Sequence, residues 1–263
     1  MTLLQTTIIA VVEGLTEFLP VSSTGHMIIA QRLMGVDGTL DVVKAFTVNI
    51  QFGAILSVVV LYRRRFFQTW DFYWKLLVAF VPAAVIGFLL SGFIDRLLDN
   101  VTVVALMLVA GGVFMLFVDQ WFTRPAEDQA VDWKRALKIG CFQCVAMIPG
   151  VSRSMSTIVG GMSTGLSRQN AAEFSFFLAV PTMAAAAGYK LLKIMTDPAL
   201  SATVSDNLMT LLIGNGVAFL VALAAIRCFI GFLARHGFKA FGYYRIVVGG
   251  VILALVLLGK IQR

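Results

Sequence analysis

Leu19-Pro20-Val21-Ser22-Ser23-Thr24-Gly25-His26 interrupts an apolar run that extends over residues 3–34. An unbroken run of that length would read as a membrane span, since crossing a hydrocarbon core of about 30 Å takes about 20 apolar residues. Pro20 removes a helix donor, and the hydroxyl cluster with Gly25 favours a break. A second run, over 139–166, is interrupted in the same way by Ile148-Pro149-Gly150-Val151-Ser152-Arg153-Ser154. Each segment predicts a helix-break-helix hairpin.

Outside these hairpins, continuous apolar segments cover residues 44–62, 76–93, 101–122, 171–192, 208–230 and 243–258. They predict six transmembrane helices, and the fold class is an all-α integral membrane protein forming one polytopic domain. Composition agrees: 59% of the 263 residues are hydrophobic and 13% charged, too little polar surface to keep such a chain in water. The net charge of +7 is explained by loop placement without invoking nucleic acid. Arg63, Arg64, Arg65 and Lys75 lie in one connection, Arg124, Lys134, Arg135 and Lys138 in another, and Arg227 to Lys239 in a third; these are the cytoplasmic loops by the positive-inside rule. The loops at 94–100 and 196–207 carry Asp95, Asp99, Asp197 and Asp206 and face outward. The loop assignments make both hairpins re-entrant, the first from outside and the second from the cytoplasm, with their tips near the midplane. The order of a broken hairpin followed by three spans recurs after about 129 residues, from Pro20 to Pro149. Three is odd, so the second repeat (131–263) is inverted relative to the first (1–130), an arrangement that places sites where broken helices meet.

Glu13 and Glu17 project from one face of an apolar helix, one turn apart. A charge at mid-bilayer costs about 2.5–3.5 kcal/mol even on insertion scales, so the pair needs a cation, a shared proton or a wet cavity. Ser22, Ser23, Thr24 and His26 follow within a few residues. In the second hairpin Ser152, Arg153, Ser154, Ser156 and Thr157 combine hydroxyls, a guanidinium and a helix start, the chemistry that binds phosphate. Arg153 has a second reading, as the ion-pair partner of Glu13 or Glu17. Carboxylates, a nucleophile and an arginine clamp are the parts of metal-assisted phosphoryl transfer. Glu13 and Glu17 are the metal ligands, and their oxygen donors favour Mg²⁺ or Ca²⁺ over zinc.

Glu13-Gly-Leu-Thr-Glu17-Phe-Leu-Pro-Val-Ser-Ser-Thr-Gly-His26 and Pro149-Gly-Val-Ser-Arg153-Ser closely resemble the signatures of the undecaprenyl diphosphate phosphatase family, also called the bacitracin-resistance family. The resemblance runs the length of the chain, including residues 49–56 and Glu173-Phe-Ser-Phe-Phe-Leu-Ala-Val-Pro181. It implies hydrolysis of undecaprenyl diphosphate to the monophosphate, the recycled carrier lipid of cell-wall glycan assembly, in the bacterial inner membrane, at a site opening to the outer face. Carried onto the motifs, Glu13 and Glu17 hold the cation or transfer protons, Arg153 binds the diphosphate, and His26 with Ser23 delivers the nucleophile. Ser22, Thr24, Ser152, Ser154 and Thr157 join Arg153 as substrate-binding candidates. His26 attacks phosphorus or deprotonates Ser23, and both schemes require the two within hydrogen-bond reach. The lipid tail is expected in a groove between helices.

The same architecture suits a transporter or flippase of a polyprenyl phosphate or another anion, which needs no positioned nucleophile. A scaffolding role is the third alternative. Other features read as structural. Cys141, Cys144 and Cys228 are expected to be small buried side chains, the C-x-x-C spacing notwithstanding. Phe66, Phe67, Trp70, Phe72, Tyr73 and Trp74 read as an interfacial belt. Gly161 and Gly165 have the spacing of a helix-dimer motif, which serves a homodimer or close packing within one chain. Residues 2–12 lack a basic flank and a cleavage pattern and read as retained.

Overall fold

The computed structural model describes residues 1–38, 40–66, 69–98, 100–196 and 207–259, and among them there is only helix. The first hairpin is α1 (Leu3–Thr16) and α2 (Ser23–Leu33); α3 (Asp41–Leu61), the short α4 (Arg63–Phe66), α5 (Trp70–Leu98) and α6 (Val101–Trp121) follow. The second hairpin is α7 (Trp133–Val145) and α8 (Arg153–Met162), followed by α9 (Arg168–Thr196), α10 (Leu208–His236) and α11 (Lys239–Leu257). Six of these are long and apolar enough to cross a bilayer, within α3, α5, α6, α9, α10 and α11, as expected of a multi-pass membrane protein. Both expected breaks are present, at residues 17–22 and 146–152. Asp99, Asp197, Asp206 and Phe67 lie outside the described residues.

Local chemistry explains where the helices begin. Thr2 and Gln5 form a reciprocal capping box at α1. Asn100 caps α6 through the Val103 amide, and Asp132 caps α7 through the Arg135 amide. After each break the chain re-enters a helix through a serine in the left-handed backbone region, Ser22 with φ 69° and Ser152 with φ 81°. Such values strain a residue with a Cβ and persist only where the surroundings hold them. Gly150 also has positive φ, and a Cβ there would stand 2.3 Å from the Val104 carbonyl oxygen, so the second break fits against α6 only as glycine.

α1 packs along α10, and α7 along α5; α3 lies against both α10 and α9. α6 and α11 form the most extensive pair, running antiparallel: Gly112 meets Gly242 and, further along, Ala105 meets Gly249. Every residue of α8 after Arg153 is buried, enclosed chiefly by α7 and α9. Gly161 faces Ala171, and the Gly165 carbonyl accepts from the Ala126 amide, so the G-x-x-x-G spacing serves packing within the chain. Asp119, at the end of α6, accepts from Arg168 and from the Phe238 amide, joining the starts of α9 and α11.

Two expectations are corrected. Cys141 and Cys228 are exposed and Cys144 is half-buried, because α7 and α10 turn these positions away from the neighbouring helices; all three are free thiols. In the aromatic belt, Trp70 and Trp74 are exposed, whereas Phe72 turns inward onto Phe177.

The breaks are joined by Arg245, fully buried in α11. Its Nη1 donates to the carbonyls of Pro20 (3.1 Å) and Val151 (2.8 Å), its Nη2 to those of Gly150 (2.7 Å) and Met107 (3.1 Å), and its Nε to that of Leu108 (3.3 Å). One guanidinium thus satisfies carbonyls of both breaks and of α6. Replacing it by methionine keeps the volume and strands these acceptors in an apolar interior, at about 1–3 kcal/mol for each that finds no other donor. Arg245→Met is therefore expected to lower the melting temperature of the detergent-purified protein steeply, and Arg245→Lys to recover only part of it; an Arg245→Met protein as stable as the parent would remove this keystone.

Candidate active site

α1 carries Glu13 and ends at Glu17, so both carboxyls reach the first break from one helix face. Glu13 is fully buried, and neither of its carboxyl oxygens has a hydrogen-bond partner. Glu17 is bonded at both oxygens: Arg153 Nη2 donates to Oε1 at 2.8 Å and Ser23 Oγ donates to Oε2 at 2.6 Å. These two bonds connect the end of α1 to the starts of α2 and α8, making Glu17 the meeting point of the two breaks. The ion pair is largely shielded, with side-chain exposure of 14% for Arg153 and 8% for Glu17. Two carboxylates cannot donate to each other, so the Glu13–Glu17 pair requires a proton or a cation.

Arg153 also donates through Nη1 to the Ser175 carbonyl at 3.2 Å, and its guanidinium lies 5.7 Å from the centre of the Phe18 ring, a cation–π distance. Its Nε–H has no partner, so the fork keeps a donor in reserve. The arginine forms part of the wall of a cavity of about 500 Å³ between α5, α7 and α9. Phe80, Ala84, Phe88, Met147 and Ala185 supply its apolar lining, with Gln143 and Thr182 among the few polar groups.

The structure divides the remaining sequence candidates. Ser23 is bonded to Glu17, not to His26. The imidazole of His26 is engaged at both nitrogens, with Nδ1 2.8 Å from the Ser22 carbonyl and Nε2 2.7 Å from the Tyr244 hydroxyl. The expected Ser23–His26 hydrogen bond is thus replaced by separate partners, although the two residues share a face of α2. Ser154 donates to the Leu19 carbonyl at 2.8 Å, tying the second break to the first. Thr157 bonds the Arg153 carbonyl and, at 2.6 Å, the Ser175 hydroxyl. Both are fully buried, so in this state they hold the backbone that presents Arg153. Ser152 caps α8 through the Met155 amide, Ser22 supplies its carbonyl to His26, and Thr24 is half-buried.

Arg245 and Tyr244 were not among the residues singled out from sequence. Arg245 had a signal: a cation inside an apolar candidate span needs a partner. Tyr244 had none, because its link to His26 joins α11 to α2.

Oxygen donors suit a hard cation, and of the two expected ligands Glu13 is open while both Glu17 oxygens are bonded, to Arg153 and to Ser23. A buried carboxyl with two unpartnered oxygens beside a second carboxylate is a hard-oxygen site, and no group of three or more His, Cys, Asp or Glu surrounds it among the described residues. Two carboxylates with water and phosphate oxygens completing the shell is the way Mg²⁺ is commonly held.

The family model for bacitracin resistance protein BacA matches residues 6–251. The chain is 58% identical to an undecaprenyl-diphosphatase of Flavobacterium johnsoniae, over 97% of this chain and 96% of that one. It is 54% identical to an undecaprenyl-diphosphatase of Porphyromonas gingivalis and 51% identical to one of Bdellovibrio bacteriovorus, each alignment covering 98% of both chains. With a family match across nearly the whole chain and identities of this size, the protein belongs to the bacitracin resistance protein BacA family.

Proposed function

We propose that this protein hydrolyses undecaprenyl diphosphate to the monophosphate and inorganic phosphate, recycling the carrier lipid of cell-wall synthesis. The observation that carries the reading is the position of Arg153. It pairs with Glu17 in the polar cluster and also lines the apolar cavity between α5, α7 and α9. A ligand with an anionic head and a long hydrocarbon tail matches that boundary, with the diphosphate on Arg153 and the isoprenoid between the helices. The names of the relatives agree with this substrate. A pure transporter would need the anion-binding groups but not a serine hydroxyl already bonded to a carboxylate.

That Ser23–Glu17 bond supports a definite division of labour. Ser23 attacks the terminal phosphorus while its proton passes to Glu17, and the polyprenyl monophosphate leaves. Water then attacks the phosphoserine, losing a proton to His26 while Glu17 returns its proton to the Ser23 oxygen, and inorganic phosphate leaves. Arg153 holds the phosphate through both steps. Ser22, Thr24 and the serines of the second break complete the binding surface once substrate has displaced the resting contacts. Mg²⁺ or Ca²⁺ held by Glu13 and Glu17 would neutralise charge on the diphosphate.

The hairpins are re-entrant and the chain is an inverted repeat of residues 1–130 and 131–263. Supporting this, Ser22 and Ser152, the left-handed residues that open α2 and α8, are separated by the same interval as Gly112 and Gly242, which face one another where α6 crosses α11. The packing also pairs up as a two-fold axis requires, α1 on α10 matching α7 on α5. The protein lies in the bacterial inner membrane with the site opening outward.

Purified in detergent, the protein is expected to release phosphate from a polyprenyl diphosphate only with Mg²⁺ or Ca²⁺ present, and to stop in EDTA. Glu17→Ala and His26→Gln should each lose about 100-fold or more of the rate. No release from the parent protein, with every cation tried, would sink the phosphatase reading. Arg153→Ala should raise KM and lower kcat together, for a fall of about 100-fold in kcat/KM; unchanged kinetics would take Arg153 out of the site. For orientation, in a protein whose own cysteines are replaced by alanine, a membrane-impermeant maleimide should label Leu208→Cys in spheroplasts and Asp128→Cys only after lysis. The reverse pattern would invert the topology.

A further inference from the structure

We infer that Tyr244 is a positioning residue of the active site, holding the imidazole of His26 in one tautomer and one orientation beside the first break; this rests on the phosphatase reading above. A carbonyl oxygen only accepts, so the 2.8 Å contact between His26 Nδ1 and the Ser22 carbonyl places the proton of the neutral imidazole on Nδ1. Nε2 then carries the lone pair, and the Tyr244 hydroxyl, 2.7 Å away, donates to it. The two rings are nearly parallel, with an interplanar angle of 6° and centroids 5.4 Å apart, so the tyrosine restrains the tilt of the imidazole as well as one of its atoms.

Both ends of this arrangement are fixed. Ser22 aims its carbonyl at Nδ1 from a left-handed conformation, φ 69°. Tyr244 precedes Arg245, whose bonds to the Pro20, Gly150 and Val151 carbonyls lock this turn of α11 onto both breaks. The tyrosine hydroxyl therefore stands at a set distance from the loop that carries Ser22 and Ser23. A hydroxyl also suits a group that changes protonation. It donates to Nε2 in the neutral imidazole and can turn to accept from Nε2–H in the imidazolium, so either protonation state finds a partner there. A purely structural tyrosine, at 46% exposure, would instead be satisfied by any polar neighbour and would leave turnover unchanged when its hydroxyl is removed.

The test exploits the presence of two histidines in the chain, His26 and His236. His236 is exposed at the end of α10, stacked on Phe232, and a His236→Asn background leaves His26 as the sole imidazole. In that background, carbethoxylation by diethyl pyrocarbonate is followed at about pH 8, where an ordinary imidazole is neutral. Tyr244→Phe keeps the ring and removes the hydroxyl; it is expected to speed modification of His26 severalfold and to lower kcat about tenfold with KM unchanged. Tyr243→Phe, the 63% exposed neighbour, should match the parent in both measurements. An unchanged carbethoxylation rate in Tyr244→Phe would overturn the hydrogen bond, and faster modification with unchanged kcat would overturn its role in turnover. Absence of phosphatase activity in the background protein itself would count against the phosphatase reading, while the modification rates would still report on the tyrosine–histidine contact.

Discussion

Arg245 sets the terms for everything else in the molecule, because two broken helices inside an apolar interior leave main-chain carbonyls that no water can reach. Irregular backbone is tolerated at membrane depth only where the protein satisfies it internally. The guanidinium does this with five carbonyls at once, two in α6, one in the first break and two in the second. Among the described residues no carboxylate pairs with it, so its charge is met by dipoles. Ser154, donating to the Leu19 carbonyl, adds a direct bond between the breaks. With both tips bound to α11 and to each other, the left-handed serines at 22 and 152 can be held against their intrinsic preference, and the residues that follow them are aimed inward.

The electrostatics of the site follow from that anchoring. A glutamate pair in a low-dielectric interior repels itself, and only Glu17 is relieved, by Arg153 and Ser23. Glu13 remains buried with no partner for either oxygen, a state that a proton or a cation relieves and that an apolar substitution would avoid altogether. Its retention is a stability cost that function explains better than folding does. Arg153, with one spare donor and a face on Phe18, stands where the polar cluster gives way to the apolar cavity. In the proposed reading, that boundary would seat a lipid with its tail among the helices and its head on the charged groups.

A second stabilising layer lies at the end of the molecule that carries most of the cations. Asp119 collects Arg168 and the Phe238 amide, and Arg65 pairs with Glu173 at 2.6 Å. These contacts secure the starts of α9 and α11, the helices that deliver Ser175, Tyr244 and Arg245 to the site. Gly237, with φ 67° and the Asp119 carboxylate beside it, makes the turn into α11 possible because no Cβ fits there.

Hydropathy and helix-breaking residues determined the six spans, the two breaks and the pairing of Glu13 with Glu17, since each of these depends on residues close together in the chain. The same local logic located Ser23, His26 and Arg153 and offered Glu17 as a partner of Arg153, but it did not give the partners of Ser23 and His26. Ser23 turned out to serve Glu17, His26 to meet Tyr244, and Ser154 and Thr157 to be spent on backbone and on Ser175. The thiols of Cys141 and Cys228 face outward because the helix faces that turn inward are chosen by their neighbours and not by their own composition. In a chain this apolar, hydrophobicity says that a helix crosses the membrane without saying which side of it faces protein. Only the tertiary structure brings position 245 to positions 20 and 150, because such contacts are decided by the packing of α6 against α11 and leave no period or spacing along the chain.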